Sequence, residues 1–350
     1  MKLSFHPHSP LRIFAFSVSV TVLSLIAITG YLGPGALLVA LILIAVELAF
    51  SFDNAIINAK ILKHLSPFWQ KLFLTVGILI AIFGMRVVFP VLIVMLTADL
   101  SWKSVVDLAL NHPKEYAEKL DLAHPTISAF GGGFLLMLAL HFFMDDDRHV
   151  LWLKRIERPL MRYSRWWVPA LVAIITVAIF SLLPFNHHPG ESLRAGLAGI
   201  VLFLAINIFT EWVGKIANQN INGVRTGWAA FLTFMYLEVL DASFSLDGVI
   251  GAFAITNDVI LIAAGLGIGA IWVRSLTVYM VRRGTLDTYK FLEHGAHYAV
   301  FVLAMTMLLS LIINIPEVIT GILGLGLIGA SIMASVQAKR ANDQTDSAAA

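Results

Sequence analysis

The sequence predicts an all-α polytopic membrane protein of about nine or ten transmembrane helices containing an inverted-topology repeat. Three observations carry that prediction. The 350 residues are 59% hydrophobic and only 13% charged, with a mean hydropathy of +0.84, whereas soluble domains are roughly a quarter charged and about half apolar. Apolar stretches of membrane-spanning length recur along the chain. Finally, one acidic motif occurs twice, each time inside such a stretch.

A spanning helix needs about 20 mostly apolar residues, because the hydrocarbon core is about 30 Å thick and a helix rises about 1.5 Å per residue. Ten segments meet this measure, at 11–29, 35–58, 69–97, 126–144, 167–184, 194–211, 228–256, 258–281, 297–313 and 316–336. The first follows Lys2 and Arg12 as a signal peptide would, but no A-x-A-like cleavage site succeeds it, so it reads as a retained span. The second and seventh carry acids within them. The ninth and tenth are separated only by Asn314, Ile315 and Pro316, and form either a hairpin or one kinked span.

The connection 98–125, with Asp99, Asp107, Glu115, Glu118 and Asp121, reads as a solvated outer loop holding a short amphipathic helix. The organisation that follows is an N-terminal span and loop (1–34), a first repeat half (35–145), a basic cytoplasmic loop with linking spans (146–227), a second repeat half (228–313), a C-terminal span (314–338) and a disordered tail (339–350). Alternate connections hold 18 and 4 of the lysines and arginines, which places both termini in the cytoplasm.

A formal net charge of +2 excludes a phosphate-reading surface, and hence nucleic acid, as the main partner. The absence of cysteine excludes disulfides, thiolate metal sites and cysteine nucleophiles. No G-x-x-x-x-G-K-[ST] occurs, so this chain supplies no ATP-driven step.

The repeated motif is [ED]-x-x-F-S-[FL]-D. It runs from Glu47 to Asp53, followed by Asn54, in the second span, and from Asp241 to Asp247 in the seventh. An odd number of span steps separates the copies, so they cross the membrane in opposite senses, as in transporters whose substrate site lies at the repeat interface. The span after each copy adds one arginine, Arg86 and Arg274. Lone charges at the bilayer centre are costly, so matched acids and arginines imply partners or a wet cavity.

On a continuous helix Glu47, Ser51 and Asn54 fall at about 0°, 40° and 340°, one stripe, and Glu238, Asp241 and Ser245 likewise share a face. Asp53 and Asp247 lie about 120° away from the acids that open their motifs. Either they face another neighbour or the helix breaks near Phe-Ser-x-Asp, where Ser, Asp and, in the second copy, Gly248 favour a cap.

Bland readings stand beside these. Asp53 and Asp247 would serve as N-caps, Arg86 and Arg274 as structural counter-charges, and Asn58, Asn207 and Thr210 as helix-packing hydrogen bonders. His141 reads as a packing or interfacial residue, Asp145, Asp146 and Asp147 as solvated interface, and Gly131, Gly132 and Gly133 as a place of close helix approach. Carboxylate, amide and hydroxyl oxygens are hard donors suited to Mg2+, Mn2+ or Ca2+. Five acids (Glu47, Asp53, Glu238, Asp241 and Asp247) against two arginines favour a divalent cation over an anion.

These motifs, the D247-G-V-I-G-A-F-A-I-T run and the arginine of each following span resemble the TerC family of the LysE-type transporter superfamily. The G131-G-G-F-L-L-M-L-A-L, F143-M-D-D-D-R and W152-L-K-R-I-E runs are similar to a longer bacterial branch of that group. The resemblance covers roughly 35–310 and implies an inner-membrane carrier with Mn2+ efflux as its activity. The extra hydrophobic segments and the 98–125 connection depart from the usual family size. The reading is a non-enzymatic secondary transporter with no resident cofactor, exporting a divalent cation. Its ion site is Glu47, Asp53, Asn54, Glu238, Asp241 and Asp247, supported by Ser51, Ser245, Arg86 and Arg274. The alternatives are an intramembrane aspartyl protease with an Asp53–Asp247 dyad, and a non-transporting membrane scaffold in tellurite or metal stress.

Overall fold

A computed structural model describes residues 10–146, 148–163, 165–216, 226–253, 255–256, 258–313 and 315–349. Every element is a helix; no strand occurs among the described residues. In order they are α1 (Pro10–Leu32), α2 (Pro34–Phe50), α3 (Phe52–Leu62), α4 (Pro67–Phe73), α5 (Val76–Leu79), a π-helical stretch (Ile80–Val88), α6 (Phe89–Thr97), α7 (Trp102–Asn111), α8 (Pro113–Phe143), α9 (Lys154–Arg162), α10 (Val168–Leu182), α11 (Pro189–Ile216), α12 (Gly227–Ala252), α13 (Val259–Arg283), α14 (Thr285–Thr288), α15 (Leu292–Leu309) and α16 (Glu317–Ala349).

Proline opens α2, α4, α6 and α10, where its missing N–H costs no helix bond. Gly33, at φ 87°, makes the turn from α1 to α2 that a side chain would resist.

Among the described residues, seven helical runs are long and apolar enough to cross a membrane, or eight if α2 and α3, bent by 50°, form one broken span. All ten segments expected from the sequence fall on helices. Two of them lie outside that set: α10, at 15 residues, is short, and α12 carries its acids.

In the 98–125 segment the short amphipathic helix expected from the sequence is α7, but the rest is the first turns of α8 in place of a loop. Val105, Ala109, Tyr116, Leu120 and Ala123 recur at helical spacing and are buried in one apolar cluster, so Asp107, Glu115, Glu118 and Asp121 decorate packed helices, and only Asp99 lies in a turn. The tail also continues α16 to Ala349 instead of running free. Residues 335–349 contain no glycine or proline, and Ala, Gln, Lys and Arg sustain a helix.

The chain divides into two compact units, one of residues 1–127 and 206–283, the other of 128–205 and 284–350. The boundaries differ from the halves read from the sequence, and the helices bearing both acidic motifs belong to the first unit. There α13 is central, touching α1, α2, α3, α12 and the π stretch. Gly265 and Gly269 let α2 approach it, since a methyl group at Gly265 would lie 2.6 Å from Leu43 Cβ. Ser17 and Ser275 hydroxyls, 2.7 Å apart, and the Trp272 indole N–H donating to Thr21 at 2.9 Å tie α1 to the other side of α13.

In the second unit α15 and α16 form a hairpin. Gly295 packs on Ser331, and the Phe291 N–H donates to Ser335 Oγ at 2.9 Å. The close approach expected at 131–133 is present: a Cβ on Gly133 would stand 2.5 Å from the Gly196 carbonyl oxygen, and one on Gly199 would strike the Phe130 carbonyl. Gly199→Ala should therefore cost about 1–3 kcal/mol through overpacking. Gly326→Ala, in open space, should leave stability unchanged or slightly raised. Thermal unfolding of the two purified variants in one detergent checks the difference.

Candidate functional site

The first motif sits at a break. The Ser51 N–H donates to the Glu47 carbonyl at 2.9 Å, and its hydroxyl donates to Glu47 Oε1 at 2.9 Å, closing the last turn of α2. The chain then bends by 50° and restarts as α3. Asp53 and Asn54 thus occupy the first turn of a new helix, where the free backbone N–H groups favour negative charge; Asp53 Oδ1 accepts from the Asn54 N–H at 2.8 Å. The second motif lies on α12, which is continuous through it. Of the two possibilities raised by the 120° offset, the break occurs only in the first copy.

Each arginine pairs within its own copy, Arg86 with Glu47 and Arg274 with Asp241 and the preceding Glu238. Glu47 is ion-paired with Arg86, whose guanidinium also donates to the Ala81 carbonyl at 2.7 Å. Arg86 belongs to the π-helical stretch, a geometry frequent at functional sites. Arg274 on α13 holds Glu238 in a two-pronged pair, at 3.0 and 2.9 Å, and reaches Asp241 at 3.0 Å. It also donates to the Phe73 carbonyl at 3.2 Å and lies 4.2 Å from the Phe73 ring centroid.

Among the described residues a hydrogen bond joins the copies: Asn54 Nδ2 donates to Asp241 Oδ1 at 2.8 Å. Glu47 also approaches the second motif, since a Cβ on Gly248 would lie 3.6 Å from Glu47 Oε2. Glu47, Asp53, Asn54, Asn58, Arg86, Glu238, Asp241 and Arg274 are each no more than 7% exposed.

The charges do not balance one to one. Arg86 answers Glu47, and Arg274 answers both Glu238 and Asp241. Asp53 has no cationic partner among the described residues. Asn54 Oδ1 and Asn58 Oδ1, one turn apart on α3, are buried and have no hydrogen-bond partner among the described residues. They are hard oxygen donors left open. No group of three His, Asp or Glu side chains among the described residues forms a ready cation cage, and arginines hold Glu47, Glu238 and Asp241.

The structure therefore brings together Glu47, Ser51 and Arg86, and beside them Asp53, Asn54, Glu238, Asp241 and Arg274. The side chains of Ser245 and Asp247 lie outside the described residues. Asn58, read from the sequence as a packing residue, offers the same open oxygen as Asn54, and its spacing of four from Asn54 was the available signal.

Two glycines had no signal at all. A Cβ on Gly77 would fall 2.7 Å from Glu238 Oε1, and one on Gly269 would fall 2.6 Å from Glu47 Cβ, so both make room for the charged side chains.

The family described as protein of unknown function (DUF475) matches residues 52–342. The chain belongs to the DUF475 family. No curated protein and no solved structure matches it. The DUF475 match begins at Phe52, so it includes Asp53, Asn54, Arg86, Glu238, Asp241 and Arg274 and leaves Glu47 and Ser51 just outside.

Removing one partner of a buried ion pair costs about 3–5 kcal/mol, because the other charge is stranded. Arg274→Gln strands Glu238 and Asp241 together, whereas Arg86→Gln strands Glu47 alone. Arg274→Gln should therefore lower the unfolding temperature further than Arg86→Gln, as read by scanning fluorimetry on the detergent-purified proteins.

Proposed function

We propose that this chain is a secondary transporter that exports a divalent metal cation, Mn2+ by its resemblance to the TerC family, across a bacterial inner membrane. In this reading it has ten spans, two inversely oriented copies of the acidic motif, and both termini in the cytoplasm. The observation that carries the proposal is the buried cluster in the first unit, where Glu47, Glu238 and Asp241 meet two arginines, Asp53 meets none, and the two copies are joined by the Asn54–Asp241 hydrogen bond. That leaves an excess of two negative charges among the described side chains, the charge a divalent cation cancels.

Asp53 and the open amide oxygens of Asn54 and Asn58 supply hard donors on the broken helix. The carboxylates held by Arg86 and Arg274 are the remaining ligands. For them to reach the ion the arginines must give way, so the paired arrangement is a resting state and ion entry exchanges a guanidinium for a metal on the same oxygens. Asp247 belongs to the site by its motif position.

Asp53→Asn and Asp241→Asn, each reconstituted in liposomes with a Mn2+-sensitive dye, should reduce Mn2+ flux about tenfold or more, equivalent to about 1.4 kcal/mol or more, with normal insertion. Undiminished flux in both would remove the site assignment.

A non-transporting scaffold is the second reading, favoured by the arginine pairing of Glu47, Glu238 and Asp241. It requires that Asp53→Asn preserve metal and tellurite tolerance in cells.

A further inference from the structure

The second unit carries a surface that the transport reading does not use. Along α9 and the turn after it, Lys154, Arg155, Arg158, Arg162 and Arg165 are all exposed, and none has an acidic partner among the described residues. Apolar side chains stand exposed among them, with Ile156 at 50%, Tyr163 at 70% and Trp166 at 92%. The sole acid of α9, Glu157, points the other way. It is fully buried and accepts from the Leu153 N–H at 3.1 Å and the Tyr298 hydroxyl at 3.2 Å, with the Arg148 guanidinium at 3.3 Å. Arg155 and Arg162 lie about 140–160° around the helix from Glu157, so anchoring that acid to α15 turns the cations outward.

We propose that α9 is an interfacial anchor that binds the headgroups of anionic phospholipids. The charge is complementary to a negatively charged leaflet, and the pattern of cations interleaved with exposed aromatic and aliphatic side chains is that of a helix lying at the headgroup boundary. Continuity with α10 supplies the placement. That apolar helix starts at Val168, directly after Trp166 and Trp167, whose rings favour the membrane–water interface. The 15 residues of α10 rise only about 22 Å against a hydrocarbon core of about 30 Å. A helix this short is accommodated by flanking cations that reach the headgroups along their aliphatic stems, which Arg162 and Arg165 are placed to do.

The test uses the full chain in nanodiscs of equal parts phosphatidylcholine and phosphatidylglycerol. Phosphatidylglycerol retained after detergent extraction is counted by native mass spectrometry for the wild type and for a variant carrying Arg155→Gln, Arg158→Gln and Arg162→Gln. The substituted residues are exposed, so helix content and unfolding temperature should be unchanged while phosphatidylglycerol enrichment falls about tenfold or more. The fluorescence lost in Trp166→Phe should be the part quenched by lipids brominated near the glycerol end and spared by aqueous iodide. Equal enrichment in both proteins overturns the proposal. So does a Trp166 signal quenched by iodide and not by brominated lipid, which would leave α9 to a soluble partner.

Discussion

Burying a guanidinium or a carboxylate away from water costs several kcal/mol per ion unless an opposite charge and further hydrogen bonds meet it, and the first unit is arranged around that constraint. Arg274 meets most of it: two carboxylates, one backbone carbonyl and one aromatic face surround its guanidinium, and only its Nε is left without a partner among the described residues. Neighbouring features follow from this demand. Gly77 is a glycine because Arg274 and Glu238 fill the volume its side chain would take, and Gly269 because Glu47 lies against it. The π-helical stretch holds Arg86 where it meets both Glu47 and the carbonyl of Ala81.

The two acidic motifs are alike in sequence and unlike in backbone. The first breaks at Ser51 and begins a new helix, so Asp53 rests on backbone N–H groups instead of a cation. The second stays helical, which keeps Glu238 and Asp241 one turn apart on the face that Arg274 can bind with a single fork. Break and continuity have the same electrostatic result: Glu47, Glu238 and Asp241 each have an arginine beside them, and Asp53 has a helix N-terminus. Asn54 then couples the two solutions, because its amide reaches Asp241 from the broken side.

The second unit meets a buried acid in another way. Glu157 draws on two backbone N–H groups, a phenol and an arginine, and His294 lies 3.5 Å away. His141, read from the sequence as a packing or interfacial residue, is exposed and edge-on to Phe203 at 5.7 Å, and Asp145 and Asp146 are exposed as expected, while Asp147 lies outside the described residues.

Composition and period were enough to establish a helical chain with several membrane-spanning stretches, because the hydrocarbon thickness dictates segment length and apolarity wherever the chain crosses. Repetition of the acidic motif was enough to single out Glu47, Asp53, Asp241 and the two arginines, because charge in an apolar stretch is too costly to be incidental. Which arginine answers which acid, where the helix breaks, and that Asn58 offers an open oxygen beside Asn54 were decided only in three dimensions. Pairing across 33 and 39 residues depends on how α2, α12, α13 and the π stretch pack. Close approach at Gly77 and Gly269 depends on neighbours distant in the chain, and no local pattern encodes them.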